Sequence, residues 1–152
     1  MQVRFPEVEG SSLSGESHHL PTTLAGELNL LVIAFKQWQQ ADVNTWVRVA
    51  EALEDEIPGF RAYELPVISR VYRPVAGFID GGMRGGIPDQ KVREATITFY
   101  IDRRQFLDDL RIPSADEIVP MLVTPTGEIL WRTTGPRTAG KEASLRVVLA
   151  ET

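Results

Sequence analysis

The residue types that most often carry chemistry are scarce in this chain, and one is missing altogether. None of the 152 residues is cysteine, so disulfides, thiolate metal ligands and thiol nucleophiles are excluded together. The two histidines, His18 and His19, are adjacent. Adjacent side chains rarely converge on one metal, and with no histidine elsewhere a Ser-His-Asp arrangement would have to draw on the amino-terminal segment. The pair is expected in a solvated loop, and no metal or other cofactor is implied. Neighbouring carboxylates occur as Asp55–Glu56, Asp108–Asp109 and Asp116–Glu117. Catalytic acid–base pairs need one member desolvated, whereas these three lie in polar stretches near element ends and read as surface.

Three other groups could bind rather than react. Gln39, Gln40 and Asp42 enter an apolar-periodic segment. They read either as a polar recognition surface at a helix N-terminus or as a solvated turn with Asp42 as N-cap. Beside them Trp38 is open between ligand contact and core packing. Gly81–Gly86 (GGMRGG) reads as a surface loop. Its backbone N–H groups and Arg84 could approach an anion, and Met83 could supply a flexible apolar contact. It has neither the spacing of a P-loop nor that of a dinucleotide-binding turn. Arg70, Tyr72, Arg73, Arg84 and Arg93 make the middle of the chain locally basic. That cluster suits a carboxylate or phosphate, or salt bridges with Glu64, Asp80, Asp89 and Glu94; salt bridging is the expectation.

The elements that must position these groups follow from composition and periodicity. Hydrophobic content of 43% and charged content of 24% are globular values, enough for one ordinary core. A formal net charge of −5 disfavours a nucleic-acid module and an anionic membrane surface. The longest apolar run, Leu28–Phe35, is far short of the roughly 20 residues that span a bilayer and reads as a strand buried on both faces. Residues 1–10 show no apolar stretch after a basic start, which points to the cytoplasm. Residues 1–19 are expected to form an irregular lead-in or small hairpin, and residues 20–152 the domain proper.

A helix is expected from Asp42 to Ile57, with Val43, Trp46, Val47, Ala50 and Leu53 at helical spacing and Trp46 in the core. Strands are expected over Phe60–Ile68, ended or bent at Pro66, and over Ala95–Ile101. A short helix follows over Arg104–Leu110. Ile118–Thr124 and Glu128–Thr133 flank Pro125-Thr126-Gly127, a hairpin signal, and a final helix covers Lys141–Leu149. Strands alternating with helices predict an α/β fold, a mixed sheet covered on both faces.

Two stretches carry a family resemblance. LVIAFKQWQQADVNTW (Leu31–Trp46) resembles the central strand, Trp, C-x-x-C motif and long helix of the thioredoxin-like superfamily. IVPMLVTPTGEILWRTTG (Ile118–Gly135) resembles its cis-proline, strand, glycine turn and strand. With the Leu20–Gly26 lead-in, the chain is most similar to the peroxiredoxin-like (AhpC/TSA-like) branch. It is distantly similar to the thioredoxin-like factors that help assemble mitochondrial ATP synthase. The resemblance implies that Gln39, Gln40, Ala41 and Asp42 occupy the C-x-x-C positions and that Pro120 is the cis-proline. It further implies a shallow groove lined by Trp38, Gln39, Gln40, Asp42, Met83, Arg84, Val119 and Pro120. Without cysteine, thiol–disulfide and peroxidase chemistry are excluded. The expectation is a redox-inactive binding, assembly or chaperone-like module for a protein or peptide partner. A glutathione-dependent transferase or other non-thiol enzyme is the alternative, and no catalytic residue is assigned.

Overall fold

The computed structural model describes residues 3–152; Met1 and Gln2, the start of the expected lead-in, lie outside the described residues. A hairpin comes first, β1 (Val8–Ser12) and β2 (Ser17–Leu20). Then follow β3 (Leu28–Ala34), a 3-10 turn at Gln37–Gln39, α1 (Gln40–Asn44), α2 (Val47–Glu56) and β4 (Phe60–Ser69). A 3-10 segment at Arg70–Val75 leads into α3 (Ala76–Gly86), α4 (Gln90–Glu94), β5 (Ile97–Ile101) and α5 (Arg103–Asp109). The hairpin β6 (Val119–Val123) and β7 (Ile129–Arg132) and the helix α6 (Ala139–Ala150) close the chain. The seven strands form one mixed sheet in the order β2-β1-β5-β4-β3-β6-β7. β3, β4 and β5 run parallel, and the remaining pairs are antiparallel.

β3 shows why its sequence is almost wholly apolar. Leu31 and Ile33 face a core shared with Leu65, Val67, Phe99 and Phe106 of α5. Leu30 and Val32 face the opposite core, with Trp46, Val49, Leu53 and Leu145 of α6. Alternate side chains thus enter separate cores, so both sets must be apolar. The polar interruption, Asn29, is fully buried and fully satisfied. It accepts from Gly26 N (2.9 Å) and donates to Gly26 O (2.8 Å) and Val123 O (3.1 Å).

Several expectations are corrected. The helix expected from Asp42 to Ile57 is two helices. Thr45 Oγ1 donates back to Asp42 O (2.6 Å) and accepts from Arg137 N (2.8 Å), and this cross-link sits where α1 stops and α2 starts. Asp42 lies inside the first turn of α1 and is not its cap. The coil begins earlier because Gln39 already satisfies the backbone ahead of it. Pro66 does not end β4, which runs on to Ser69. It leaves a gap in the β4–β5 ladder, which has an isolated Glu64–Thr96 bridge and resumes at Val67↔Phe99.

Gly81–Gly86 is not a loop but the second half of α3. Five glycines in eleven residues, at about 1 kcal/mol each relative to Ala, disfavour a helix. Contacts from outside the helix offset that cost. Thr98 Oγ1 and Tyr100 OH donate to Asp80 (3.3 and 2.5 Å), Arg84 Nε donates to Leu13 O (2.8 Å), and Arg93 Nη2 donates to Arg84 O (2.9 Å). Burial, and then the Asp80 carboxylate, push the Tyr100 phenol above its ordinary value, so it remains a donor.

Pro120 is not a cis-proline. Among the described residues the cis peptide bond is Leu20–Pro21, and Pro120 is a mid-strand residue opposite Val32. Its carbonyl accepts from Thr133 N (2.9 Å), just past the end of β7. N–H and C=O of one strand residue point the same way, so its missing donor faces the place where β7 stops pairing. Gly127 does make the expected hairpin turn, at φ +90°, a conformation glycine adopts without strain.

Candidate functional site

Parallel strands bring several loops to one end of the sheet. Ala34 pairs with Pro66 at the end of β3, and Ser69 pairs with Ile101 at the ends of β4 and β5. β6 runs the other way, so its start lies at that same end. The turn after β3, the Arg70–Val75 segment, the start of α5 and the 114–118 loop therefore converge there. In open α/β sheets this carboxyl end is where ligands bind.

Gln39 organises the centre of this end. Its side chain is 0% exposed. Oε1 accepts from Phe35 N (2.8 Å) and Lys36 N (3.3 Å), and Nε2 donates to Ala115 O (2.7 Å). The amide thus ties the turn to itself and to the loop before β6, 76 residues away. Lys36 pairs with Asp116 alongside it, and Arg103 Nη1 donates to Phe35 O (3.0 Å). The Lys36 ammonium, and then the Ser114 hydroxyl, hold the Asp116 carboxyl below its usual range. The turn is therefore clasped to Ala115–Asp116, not opposed to Pro120.

On this fastened turn Trp38 stands 62% exposed, whereas Trp46 is 1% exposed. Trp46 donates from Nε1 to Gly135 O (3.2 Å) and meets Trp131 edge-on at 6.1 Å. The choice left open for Trp38 is thus decided for the surface, and Trp46 is core. Gln40, one residue beyond the strut, is exposed; its Nε2 donates to Asn44 Oδ1 (3.0 Å). Its amide also lies against Glu64 on β4, a half-buried carboxyl. Burial pushes Glu64 above the usual carboxylate range, and the Gln40 amide draws it partly back. Glu64 lines a cleft of about 150 Å³ between α2 and α4, with mostly apolar walls.

The other expected groove residues are elsewhere. Val119 and Pro120 are buried within β6. Arg84 lies against the β1–β2 hairpin, where it borders a second hollow with Arg93 and Gln90. Met83 is half-buried on α3 and Asp42 half-buried on α1. Of the eight residues, Trp38, Gln39, Gln40 and Asp42 share one segment; the other four do not join them in one accessible groove.

The arginine cluster does not form the expected salt bridges. Arg73 donates to Tyr100 O (2.7 Å), Arg84 to Leu13 O, and Arg93 to Ile87 O (2.5 Å). Among the described residues no carboxylate lies within 4 Å of these guanidinium groups. The histidines lie on β2, not in a loop. His18 is bonded to Thr23 Oγ1 (3.1 Å), and His19 lies 3.5 Å from Glu9 and 3.7 Å from Glu7. Among the described residues no group of three or more His, Asp or Glu side chains is placed to hold a metal ion. Of the neighbouring carboxylates, Glu56 pairs with Arg146 (2.8 Å) and Asp109 accepts from Gln105 (2.7 Å). The residue that sequence reasoning passed over is Glu64, for which only a salt bridge was expected. Its signal was a lone acid inside an otherwise strand-like run, FRAYELPVIS.

No family model and no curated protein sequence matches the chain. Solved structures do. The thioredoxin domain of a thiol-disulfide oxidoreductase from Bacteroides vulgatus matches with TM-score 0.63 at 19% identity, covering 95% of this chain and 94% of that one. BsSco, a member of the Sco family of cytochrome c oxidase assembly proteins, matches with TM-score 0.66 at 13% identity, covering 99% and 94%. An exposed lipoprotein thioredoxin of Streptococcus pneumoniae matches with TM-score 0.59 at 14% identity, covering 95% and 99%. Among the described residues no helix is long and apolar enough to cross a membrane. The mixed seven-stranded sheet, the helices on both faces and these neighbours together show that the chain has a thioredoxin-like fold, built without a cysteine.

Proposed function

We propose that this chain is a redox-inactive binding module that receives a polypeptide partner at the carboxyl ends of β3 and β4, around Trp38. The observation that carries the reading is the pairing of Gln39 with Trp38. Gln39, which the resemblance sets at the first C-x-x-C position, is fully buried and engaged on three main-chain groups, and the indole beside it is 62% exposed. A rigid aromatic side chain held out of the core is the usual anchor of a protein interface, since little conformational entropy is lost when it is covered. Within the superfamily we place the chain nearest the peroxiredoxin-like branch, on its Leu20–Gly26 and Ile118–Gly135 stretches. An assembly role has a fold-level analogue in BsSco.

The test is site-specific photo-cross-linking in cells from position 38, with position 147 on α6 as control, since Val147 is also well exposed. The expected result is a discrete polypeptide adduct from position 38 alone. Excess unlabelled wild-type protein suppresses that adduct, and excess Trp38→Ala does not. Equal labelling from both positions, or equal competition by Trp38→Ala, overturns the reading.

A further inference from the structure

Glu64 is a half-buried acid within β4. It alternates with Ala62 along the face of β4 that α2 covers, and it pairs in register with Val32. The cleft above it is walled by Val43, Val47 and Ala50 on one side and Val92 on the other. Among the described residues no lysine, arginine or histidine lies within ion-pair distance of its carboxylate. The charged groups bordering the cleft are Glu51 and Glu54 from α2, and Asp89 and Lys91 from α4. Glu54 is partly engaged, accepting from Ala62 N (3.4 Å). Four carboxylates against one ammonium make the cleft negative. Its walls are mostly apolar, which lowers the local dielectric and strengthens the field of the carboxylate beneath. What is complementary to an apolar shaft with an acid at its base is an aliphatic stem ending in a cation.

We propose that this cleft receives a lysine side chain of a partner polypeptide, its methylenes against Val43, Val47 and Val92 and its ammonium on the Glu64 carboxylate. Lysine fits better than arginine. The floor offers one carboxylate to a point charge, and a cleft of about 150 Å³ leaves little width for a planar guanidinium. The polypeptide source, though not the cleft's chemistry, rests on the binding reading above. Gln40, which touches Glu64, is two residues beyond Trp38, and Val32, opposite Glu64, is two residues short of the end of β3. Two strand residues span only about 7 Å, so a chain crossing Trp38 passes within reach of the cleft.

The experiment is an NMR titration of the full chain with N-acetyl-lysine N-methylamide. The norleucine analogue and n-butylammonium serve as comparators. The expected result is millimolar binding with shifts centred on Val47, Glu64 and Val92. Removing either charge, with the norleucine analogue or with Glu64→Gln, weakens it about tenfold or more, as for a charge-assisted hydrogen bond. Ala50→Leu fills the cleft, leaves the carboxylate in place and abolishes binding. Affinity falls as pH drops through the titration of Glu64, because the ammonium binds the ionised form. Trp38→Ala leaves probe affinity unchanged, so the two proposals fail separately. Equal binding of lysine and norleucine probes, unaltered binding by Glu64→Gln, or no binding at any soluble concentration overturns the site. Tighter binding of n-butylammonium than of the lysine probe overturns the polypeptide source.

Discussion

Replacing Gln39 tests whether its side-chain strut holds the carboxyl end of the sheet together. Gln39→Ala removes three hydrogen bonds at once and leaves Phe35 N, Lys36 N and Ala115 O without their partner. The Phe35–Gln39 bond is wholly buried, and the other two are partly so. A typical net bond contributes about 1 kcal/mol, and an orphaned buried group costs about 1–3 kcal/mol. The sum is about 3–5 kcal/mol, since Lys36 N and Ala115 O recover some hydration. At about 2–4 °C per kcal/mol for a chain of this size, the melting temperature falls by about 6–20 °C. Urea unfolding followed by tryptophan fluorescence measures the loss directly. Gln39→Glu separates the strut from mere volume. An ionised carboxylate still accepts from Phe35 and Lys36 but faces Ala115 O with no proton to give. Burial raises its folded pKa above the unfolded value, so its deficit is smallest below the unfolded pKa and grows as pH rises through the folded one. The protonated acid can donate to Ala115 O as glutamine does, so this variant recovers toward wild type in acid while Gln39→Ala does not. A Gln39→Ala cost below about 1 kcal/mol, or a Gln39→Glu deficit that ignores pH, would refute the strut.

Three further outcomes are expected. A Cβ on Gly10 would stand 2.5 Å from Thr98 O and 2.7 Å from the Phe99 ring. Gly10→Ala therefore pushes the hairpin off β5, seen as faster amide exchange in β1 and β5 with β3 and β6 unchanged. The folded pKa of Glu64 is raised, so the native state binds the extra proton and stability falls as pH rises from 4.5 through the folded value. Glu64→Gln removes that decline, and chemical unfolding across this pH range shows the variant gaining on wild type as pH rises. Arg146 joins Glu56 (2.8 Å) and Glu142 (2.9 Å) at a partly exposed site. Arg146→Ala costs no more than about 1 kcal/mol and less in high salt, and an undiminished cost in high salt would contradict screening of these pairs.

Local pattern and composition determined much of this protein. The apolar run at 28–35, the alternation at 95–101 and the Pro125-Thr126-Gly127 turn located β3, β5 and the β6–β7 hairpin, because each is stabilised by its own periodicity or turn chemistry. The absence of cysteine excluded thiol chemistry outright. Tertiary structure decided the rest. Helix α3 is invisible to propensity because Thr98, Tyr100, Leu13 and Arg93 hold it from outside. Pro120 resembles a cis-proline in sequence, but the β3 and β7 pairing around it makes it a strand residue. Gln39 and Gln40 are indistinguishable as letters. One became a buried strut because Ala115 O lies in its path, and the other became a neighbour of Glu64, which β4 brings up from 24 residues along the chain. These roles depend on partners tens of residues away, and sequence spacing carries no record of such distances.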